Sequence, residues 1–399
     1  MSHSIKLENI GCLIIESSSG LEYKNDTSVL LKGDCIESIG SGSADTIIDC
    51  KGKLVTPGFV DSHTHLIFNN LRIQEHQMRL SGATYEEIAN NGGGIVSSVE
   101  SVQSATPKEL FNIAIPRLDR FISMGTTTIE AKSGYGLNTE SELKSLKVIS
   151  KLSEKHAIDI IPTFMGAHAF PVEYEDKKDA YVDLVINEMI PEIEKQGIAK
   201  FIDVFCEEGY FDIDQSKRIL QAGISAGLKP RVHADEFHNF GASLMAGEMG
   251  AVSADHLMKI DEKGIRSLKN NKVVATLLPG TTFFLNKDSY APARKLIDEG
   301  ITVALATDFN PGSCHIQSMP FIITLAVMKL QMTIEEAFLA ATLHGAKSLG
   351  LQNEIGSIAV GKKADLIIWD ISKLSEIPYY VSNHPIRHVI KNGKLVFGS

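Results

Sequence analysis

The feature that most constrains the fold of this 399-residue chain is a repeat of apolar strand and amphipathic helix. Short apolar runs recur from residue 58 onward, and between them lie longer stretches with apolar residues three and four positions apart. The eight runs are FVDSHTH, TTTIEAKSGY, DIIPTFMGAHA, FIDVFCEEG, KPRVHADE, AVSADHL, VVATLLPG and TVALATDFNPG. Eight successive units of this kind predict an α/β fold, a parallel sheet closed into a (β/α)8 TIM-like barrel.

The two ends of the chain have a different pattern. Residues 1–57 contain short strands and turn signals without a convincing helix, and GSIAVGKKADLIIWD and PIRHVIKNGKLVF near the C-terminus also read as strands. We therefore predict that residues 1–57 and 352–399 pair in a small β-sandwich domain built from both chain ends. Residues 58–351 then form the barrel.

Composition excludes some classes of protein. The formal net charge of −10 argues against a nucleic-acid partner, because such proteins usually carry a basic surface stripe. The five cysteines are scattered and odd in number, which favours free thiols in a reducing compartment. We find neither a charged leader followed by an apolar stretch nor an apolar run of about 18 residues. We expect a cytoplasmic protein with no membrane partner.

Polar side chains collect where the predicted strands end, which is where the active sites of such barrels lie. His63 and His65 follow the first strand, and residues two apart on a strand share a face. Two histidines near a turn are more often plain loop residues, so a metal site requires further ligands from other strands. The other strand ends supply Lys132, Tyr135, His168, His233, Asp235, Glu236, Asp255, His256, Asp308 and Asn310.

Three segments resemble the amidohydrolase superfamily of metal-dependent hydrolases: VTPGFVDSHTHL, ATDFNPGS and GSIAVGKKADLIIWD. Within that superfamily, the chain resembles the imidazolonepropionase family in NNGGGIVSSV, EAKSGYGL, PTFMGAHA, DVFCEEG, HADEF, SADHL, LLPGTTFFL and YAPARKLID. The resemblance covers nearly the whole chain. It departs where the family often has Gly-Gly-Ser-Arg and this chain reads Asn-Asn-Leu-Arg at residues 69–72.

The resemblance implies hydrolysis of 4-imidazolone-5-propanoate to N-formimidoyl-L-glutamate in histidine degradation, by a metal-activated water that attacks the ring amide carbonyl. It implies that one Zn²⁺ or Fe³⁺ per subunit is bound by His63, His65, His233 and Asp308, a ligand set that suits either ion. The fourth strand carries no clear bridging lysine at its end, so we expect one metal rather than two. A homodimer is usual in this family.

The resemblance also implies roles for neighbouring residues. Asp308 is expected to carry a proton, Glu236 to face the ring or the attacking water, and His256 to stabilise the carbonyl oxygen. Taken alone, His233 would more often be a core histidine, Asp308 a helix cap and Glu236 a solvated carboxylate. The implied substrate-binding residues are Arg72 for the propanoate carboxylate, with Tyr85, Tyr135, His168, Glu236, Asn310, Gly312 and Ser313.

Three alternatives remain at this point. The glycine triplet at residues 92–94 lacks the lysine and hydroxyl residue of a phosphate loop, so we expect a flexible turn there. A hydantoinase-like cyclic amidohydrolase or an aminopurine deaminase would share the His-x-His and the aspartate, but KSGYG, GAHA and Arg72 favour a small ring that bears a carboxylate. A catalytically silent metal-binding or interaction protein would usually have lost a ligand or the acid, whereas this chain keeps every expected group.

Overall fold

The computed structural model describes residues 3–17, 20–83, 87 and 93–398. Tyr85 and Gly92 lie outside these residues. The described strands are β1 Ser4–Ser17, β2 Gly20–Lys32, β3 Cys35–Ile39, β4 Thr46–Pro57, β5 Phe59–Asp61, β6 Thr126–Lys132, β7 Asp159–Ala167, β8 Phe201–Cys206, β9 Lys229–Ala234, β10 Ser253–His256, β11 Val274–Leu277, β12 Val303–Leu305, β13 Leu366–Trp369, β14 Ile386–Lys391 and β15 Lys394–Phe397.

The strands β5 to β12 form one parallel sheet in which each strand lies beside the next strand along the chain. A parallel bridge between Thr64 and Phe309, just beyond the first and last strands, closes the ring. The backbone N–H of His65 donates to the carbonyl of Phe309 across this junction at 2.8 Å. The predicted eight-stranded barrel is therefore confirmed, and its closure places the ends of β5 and β12 side by side.

The helices cover the barrel, as expected for crossover connections between parallel strands. Capping boxes start three of them, at Thr106 with Glu109, at Asp212 with Gln215 and at Thr333 with Glu336. The described helices are Ile73–Leu80, Ile95–Ser104, Pro107–Ser123, Thr139–Lys155, Lys178–Leu184, Ile190–Gln196, Ile213–Ser225, Ala242–Glu248, Glu262–Asn271, Pro279–Phe284, Ala293–Asp298, Met319–Lys329, Ile334–Ala340 and Leu343–Ser348.

The two chain ends share a second sheet, with strand order β15-β14-β13-β4-β1-β2-β3. The central strand β4 joins them, because it pairs parallel with β1 and antiparallel with β13. The apolar face of this second sheet forms a separate core that includes Leu7, Leu13, Val55, Leu366 and Ile390. The small domain built from both ends is confirmed, while its boundaries at residues 57 and 352 stay a prediction.

The small sheet is joined directly to the barrel strand that precedes His63 and His65. Residue 58 alone separates β4 from β5, and β5 is followed at once by His63 and His65. A partly buried ion pair adds a second connection, since Nζ of Lys391 lies 2.7 Å from Asp159 on β7 and 2.6 Å from Asp365. The small sheet thus fixes the direction from which the first barrel strand arrives.

The described residues include no helix that is both long and apolar enough to cross a membrane. All five cysteines are free, as the sequence predicts, and three of them are buried: Cys50, Cys206 and Cys314.

Candidate active site

The four predicted metal ligands lie together at the carboxyl ends of β5, β9 and β12. Potential ligand atoms of His63, His65 and Asp308 lie within 4.8 Å of one another, and so do those of His63, His233 and His256. The rings of His63 and His233 are 4.6 Å apart between centroids. All of these side chains are buried. The barrel has brought together residues that are up to 245 positions apart (308 − 63).

Two buried carboxylates orient the histidines. Nδ1 of His63 lies 2.6 Å from Oδ2 of Asp255, and Nδ1 of His233 lies 3.0 Å from Oδ1 of Asp203. A carboxylate only accepts, so each Nδ1 carries the hydrogen and each Nε2 keeps its lone pair. Both Nε2 atoms are buried and have no hydrogen-bond partner among the described residues. Such orphaned acceptors fit a metal ion.

Asp308 is held with one oxygen towards the histidines. Its Oδ1 lies 3.6 Å from Nε2 of His63 and 3.5 Å from Nε2 of His65. Its Oδ2 accepts a 2.5 Å hydrogen bond from the hydroxyl of Thr281. Burial raises the pKa of the Asp308 carboxyl to about 6. The carboxyl group thus has one fixed oxygen and one that is directed at the candidate metal position.

His256 and Glu236 form the opposite wall of the site. Nδ1 of His256 lies 3.6 Å from Oε1 of Glu236, and the His256 ring is 5.2 Å from that of His233. Burial raises the pKa of Glu236 well above its usual range, and nearby Asp308 adds to this effect. His256 also belongs to one of the two candidate ligand groups. Geometry therefore allows it either the predicted stabilising role or a place on the metal.

A network of charges lies beneath the site, and of its members sequence reasoning named Lys132 and Asp255 but missed Glu130, Asp203 and Arg231. Nζ of Lys132 lies 2.8 Å from Glu130 and 2.8 Å from Asp203, while Nη2 of Arg231 lies 3.1 Å from Asp255. All five side chains are fully buried. Lys132 therefore neutralises the carboxylate that orients His233, and Arg231 neutralises the one that orients His63. The available signal was a charged residue inside each of several otherwise apolar strands.

The site opens into a cavity of about 360 Å³ that is lined by predicted residues and by others. His168 lies on its wall, stacked on the His65 ring at 4.9 Å. Nδ1 of His168 donates to the carbonyl of Gly134 at 2.9 Å, so its Nε2 is an acceptor. Burial lowers its pKa to about 3, which keeps it neutral. The lining residues that the sequence did not single out are Glu75, Arg79, Ala83, Ile95, Phe205, Tyr210, Phe237, Leu285 and Lys287.

Arg72 reaches the cavity, but one edge of its guanidinium is already in use. Its Nε and Nη2 each donate a 2.7 Å hydrogen bond to the carboxylate of Glu75. Nη2 of Arg79 donates to the same carboxylate at 2.8 Å. The Nε edge of Arg72 is therefore occupied while Glu75 is bound, and only the end of the guanidinium that carries Nη1 can turn towards a ligand. The predicted contact of Arg72 with the propanoate stays a prediction.

Polar groups in the loop after β12 hydrogen-bond to one another. Oδ1 of Asn310 accepts from the backbone N–H groups of Gly312 at 2.9 Å and Ser313 at 2.7 Å. Its Nδ2 donates to the carbonyl of Asp308 at 2.7 Å. The three loop residues line the cavity, but the amides of Gly312 and Ser313 already donate to Asn310. Their predicted contacts with the substrate stay a prediction. A short amide side chain closes this turn by bonding the backbone two and three residues ahead.

Asp235 lies beside the site without taking part in it. Its carboxylate accepts from the backbone N–H groups of Phe240 and Ala242 at 3.1 Å and of Ser243 at 3.2 Å. It therefore caps the helix Ala242–Glu248.

Tyr135 is buried in the cavity wall, and burial raises its pKa above the usual range, so it stays a neutral phenol. The remaining predicted residue, Tyr85, lies outside the described part of the chain.

Comparison with known proteins decides the family. Models described as amidohydrolase family match residues 46–134 and 222–396. Imidazolonepropionase from Alkaliphilus metalliredigens is 46% identical, with 93% of this chain and 90% of the relative covered. The Brevibacillus brevis imidazolonepropionase is 50% identical over 88% of this chain and 82% of the relative. The chain belongs to the imidazolonepropionase family. The motifs that resembled this family in the sequence are therefore correctly assigned.

Solved structures agree with the fold. An adenosine deaminase from Xanthomonas campestris with bound zinc superposes with a TM-score of 0.74, covering 98% of this chain and 92% of that one. At 18% identity this likeness concerns the fold alone. As a member of the imidazolonepropionase family, the chain is a hydrolase, and the amidohydrolase family implies a divalent metal. Two overlapping groups of buried side chains could each hold such an ion: His63 with His65 and Asp308, and His63 with His233 and His256.

Proposed function

We propose that this chain hydrolyses 4-imidazolone-5-propanoate to N-formimidoyl-L-glutamate, a step of histidine degradation. The observation that carries the proposal is the 46% identity to an imidazolonepropionase over nearly the full length of both chains. The site supports it, because orphaned histidine nitrogens lie at one end of the cavity and two arginines line its wall. Such a cavity suits a small ring with an anionic tail.

We assign one Zn²⁺ or Fe³⁺ per subunit to His63, His65, His233 and Asp308. When bound, such an ion polarises a carbonyl and lowers the pKa of a coordinated water to about 7. The protein's part is to keep the imidazoles neutral and correctly turned. Burial lowers the pKa of His63 and His65 well below the usual range, so both stay unprotonated and able to ligate.

The reaction adds water across the ring amide: the carbonyl carbon gains an oxygen, the C–N bond breaks and the nitrogen gains a proton. We assign to Asp308 the transfer of a proton from the attacking water to the departing nitrogen. We assign to His256 the donation of a hydrogen bond to the carbonyl oxygen. His168, whose Nε2 is an acceptor, can receive a ring N–H but cannot hold the carboxylate. Glu236, with its raised pKa, can donate to the ring while protonated.

Two finer assignments belong to the same proposal. A cytoplasmic location and a homodimer would suit an enzyme of histidine degradation in this family, and both stay predictions. The deaminase alternative is not favoured, because the deaminase-like structure matches at only 18% identity whereas the imidazolonepropionases match at 42% to 50%.

The deciding experiment is to incubate purified, metal-loaded protein with 4-imidazolone-5-propanoate and to follow loss of the ring's ultraviolet absorbance. We expect rapid loss and a product heavier by one water, identified by mass spectrometry. Chelator-treated protein should be inactive. Hydrolysis of a hydantoin, or deamination of guanine, without turnover of the imidazolone would overturn the assignment.

A further inference from the structure

Three charged residues share one face of the helix Ile73–Leu80 and the turn before it. Arg72, Glu75 and Arg79 are three and four positions apart, the spacing that aligns side chains on a helix. Oε1 of Glu75 accepts from Nη2 of Arg72 at 2.7 Å and from Nη2 of Arg79 at 2.8 Å. Because both guanidinium groups bond one oxygen atom, they lie next to each other.

Two backbone groups complete this cluster. The N–H of Gly94 donates to Oε2 of Glu75 at 2.8 Å, and Nη1 of Arg79 donates to the carbonyl of Gly312 at 3.3 Å. A Cβ at Gly312 would lie 2.1 Å from Nη1 of Arg72, so a larger residue there would displace that guanidinium. The loop after β12, which follows the metal aspartate, is therefore packed directly against both arginines.

Within the part of the chain that the structure describes, the three charged groups of this cluster carry a net positive charge. Two guanidinium groups and one carboxylate give a net charge of +1, and Glu75 is buried while both arginines line the cavity. Burial in the cavity wall removes part of the solvent around Arg79 and lowers the pKa of its guanidinium. A single carboxylate entering this end of the cavity would bring the net charge to zero. Neutral ligands would leave the excess charge partly dehydrated.

We propose that Arg79 is a second cation for the carboxylate tail of the substrate, and that Glu75 is a positioning residue that holds both guanidinium groups towards it. The inference rests on the proposed function for the identity of the ring, and it adds Arg79 and Glu75 to the residues that act on the tail. Because two adjacent arginines bind the tail, the Nε edge of Arg72 can hydrogen-bond to Glu75 instead of to the substrate.

The test compares Arg79→Met, Arg79→Lys and Glu75→Gln with the native holoenzyme. Arg218→Met serves as the matched control, because Arg218 pairs with Asp183 on the surface and its side chain is 46% exposed. Each protein is assayed with 4-imidazolone-5-propanoate and with the same ring lacking the propanoate tail. Metal content is measured on every sample, so that loss of the metal site is recognised.

For Arg79→Met we expect KM for the tailed ring to rise roughly 10- to 150-fold, the cost of one hydrogen bond to a charged group, with kcat nearly unchanged. The tail-less ring should be handled as by the native enzyme. Arg79→Lys should recover part of the loss. Glu75→Gln should raise KM for the tailed ring alone, because the amide no longer draws both guanidinium groups to one position.

Equal losses on both rings, or a native KM for the tailed ring in Arg79→Met, would overturn the inference. Failure of the proposed function is recognised separately. Binding of imidazole-4-propanoate to the metal-loaded protein is measured by calorimetry, which requires no turnover. If the native protein binds this ligand and Arg79→Met binds it at least 10-fold more weakly, the arginine pair stands even where imidazolone hydrolysis is absent.

Discussion

Asp255 lies 2.6 Å from Nδ1 of His63, although the two residues are 192 positions apart in the chain. This hydrogen bond fixes which nitrogen of His63 faces the candidate metal. We predict that Asp255→Asn lowers zinc affinity about 10- to 100-fold, the usual effect of losing such an outer partner. Competition with a chromophoric chelator measures this affinity.

A control separates this effect from damage to the fold. Ser253→Ala removes the hydroxyl that donates to Oδ1 of Asp255 at 2.6 Å but leaves the carboxylate in place. Asp255→Asn also strips the buried Arg231 of a charge partner, so the melting temperature of each variant is recorded. Native zinc affinity in a folded Asp255→Asn protein would contradict the prediction.

The second prediction concerns metal stoichiometry. We expect the active protein to contain close to one metal ion per subunit, because the fourth barrel strand, Phe201–Cys206, carries no lysine that could bridge a second ion. Removal of the ion should abolish turnover, and its return should restore it. Elemental analysis that finds two equivalents in fully active enzyme would rule out the mononuclear site.

The third prediction decides the role of His256. If it stabilises the carbonyl oxygen, His256→Ala keeps its metal and loses roughly 10²- to 10³-fold in kcat, the usual cost of one such donor. The alternative role as ligand follows from its place in a group with His63 and His233. Metal analysis of the purified variant distinguishes the two, since a metal-free His256→Ala protein would make this residue a ligand.

The fourth prediction concerns Arg72. Removing one partner of a buried charge pair costs about 2 to 5 kcal/mol, so Arg72→Ala should lower kcat/KM for the tailed substrate roughly 30- to several thousand-fold. Arg72→Lys should recover little, because an ammonium cannot bond Glu75 and a ligand with the same planar geometry. A ring without the tail should be hydrolysed equally by Arg72→Ala and native protein; equal harm to both substrates would assign the arginine to the fold.

The fifth prediction is a pH dependence of stability. Burial lowers the pKa of His168 from 6.5 to about 3, so between these values the unfolded chain binds a proton that the folded protein does not. The free energy of unfolding therefore falls with decreasing pH, by about 1.4 kcal/mol per pH unit from this residue. In urea titrations of metal-free protein, His168→Asn should lose less stability than native between pH 6.5 and 4. Parallel curves would contradict this.

The sequence alone determined the barrel and the residues at its mouth. Parallel strands in one barrel all end at the same rim, so His63, His65, His233 and Asp308 could be predicted to meet from their places after apolar runs. The small domain followed in the same way, because strands at both chain ends needed partners.

Only the tertiary structure decided how each side chain is used. The pairing of His63 with Asp255 and of His233 with Asp203 depends on which strands are neighbours and on which way the side chains point. The binding of Arg72 by Glu75, and of the Gly312 and Ser313 amides by Asn310, leaves fewer free donors than the motifs suggest. Periodicity in a sequence fixes the face on which a residue lies, but buried polar groups choose partners by distance and geometry in three dimensions.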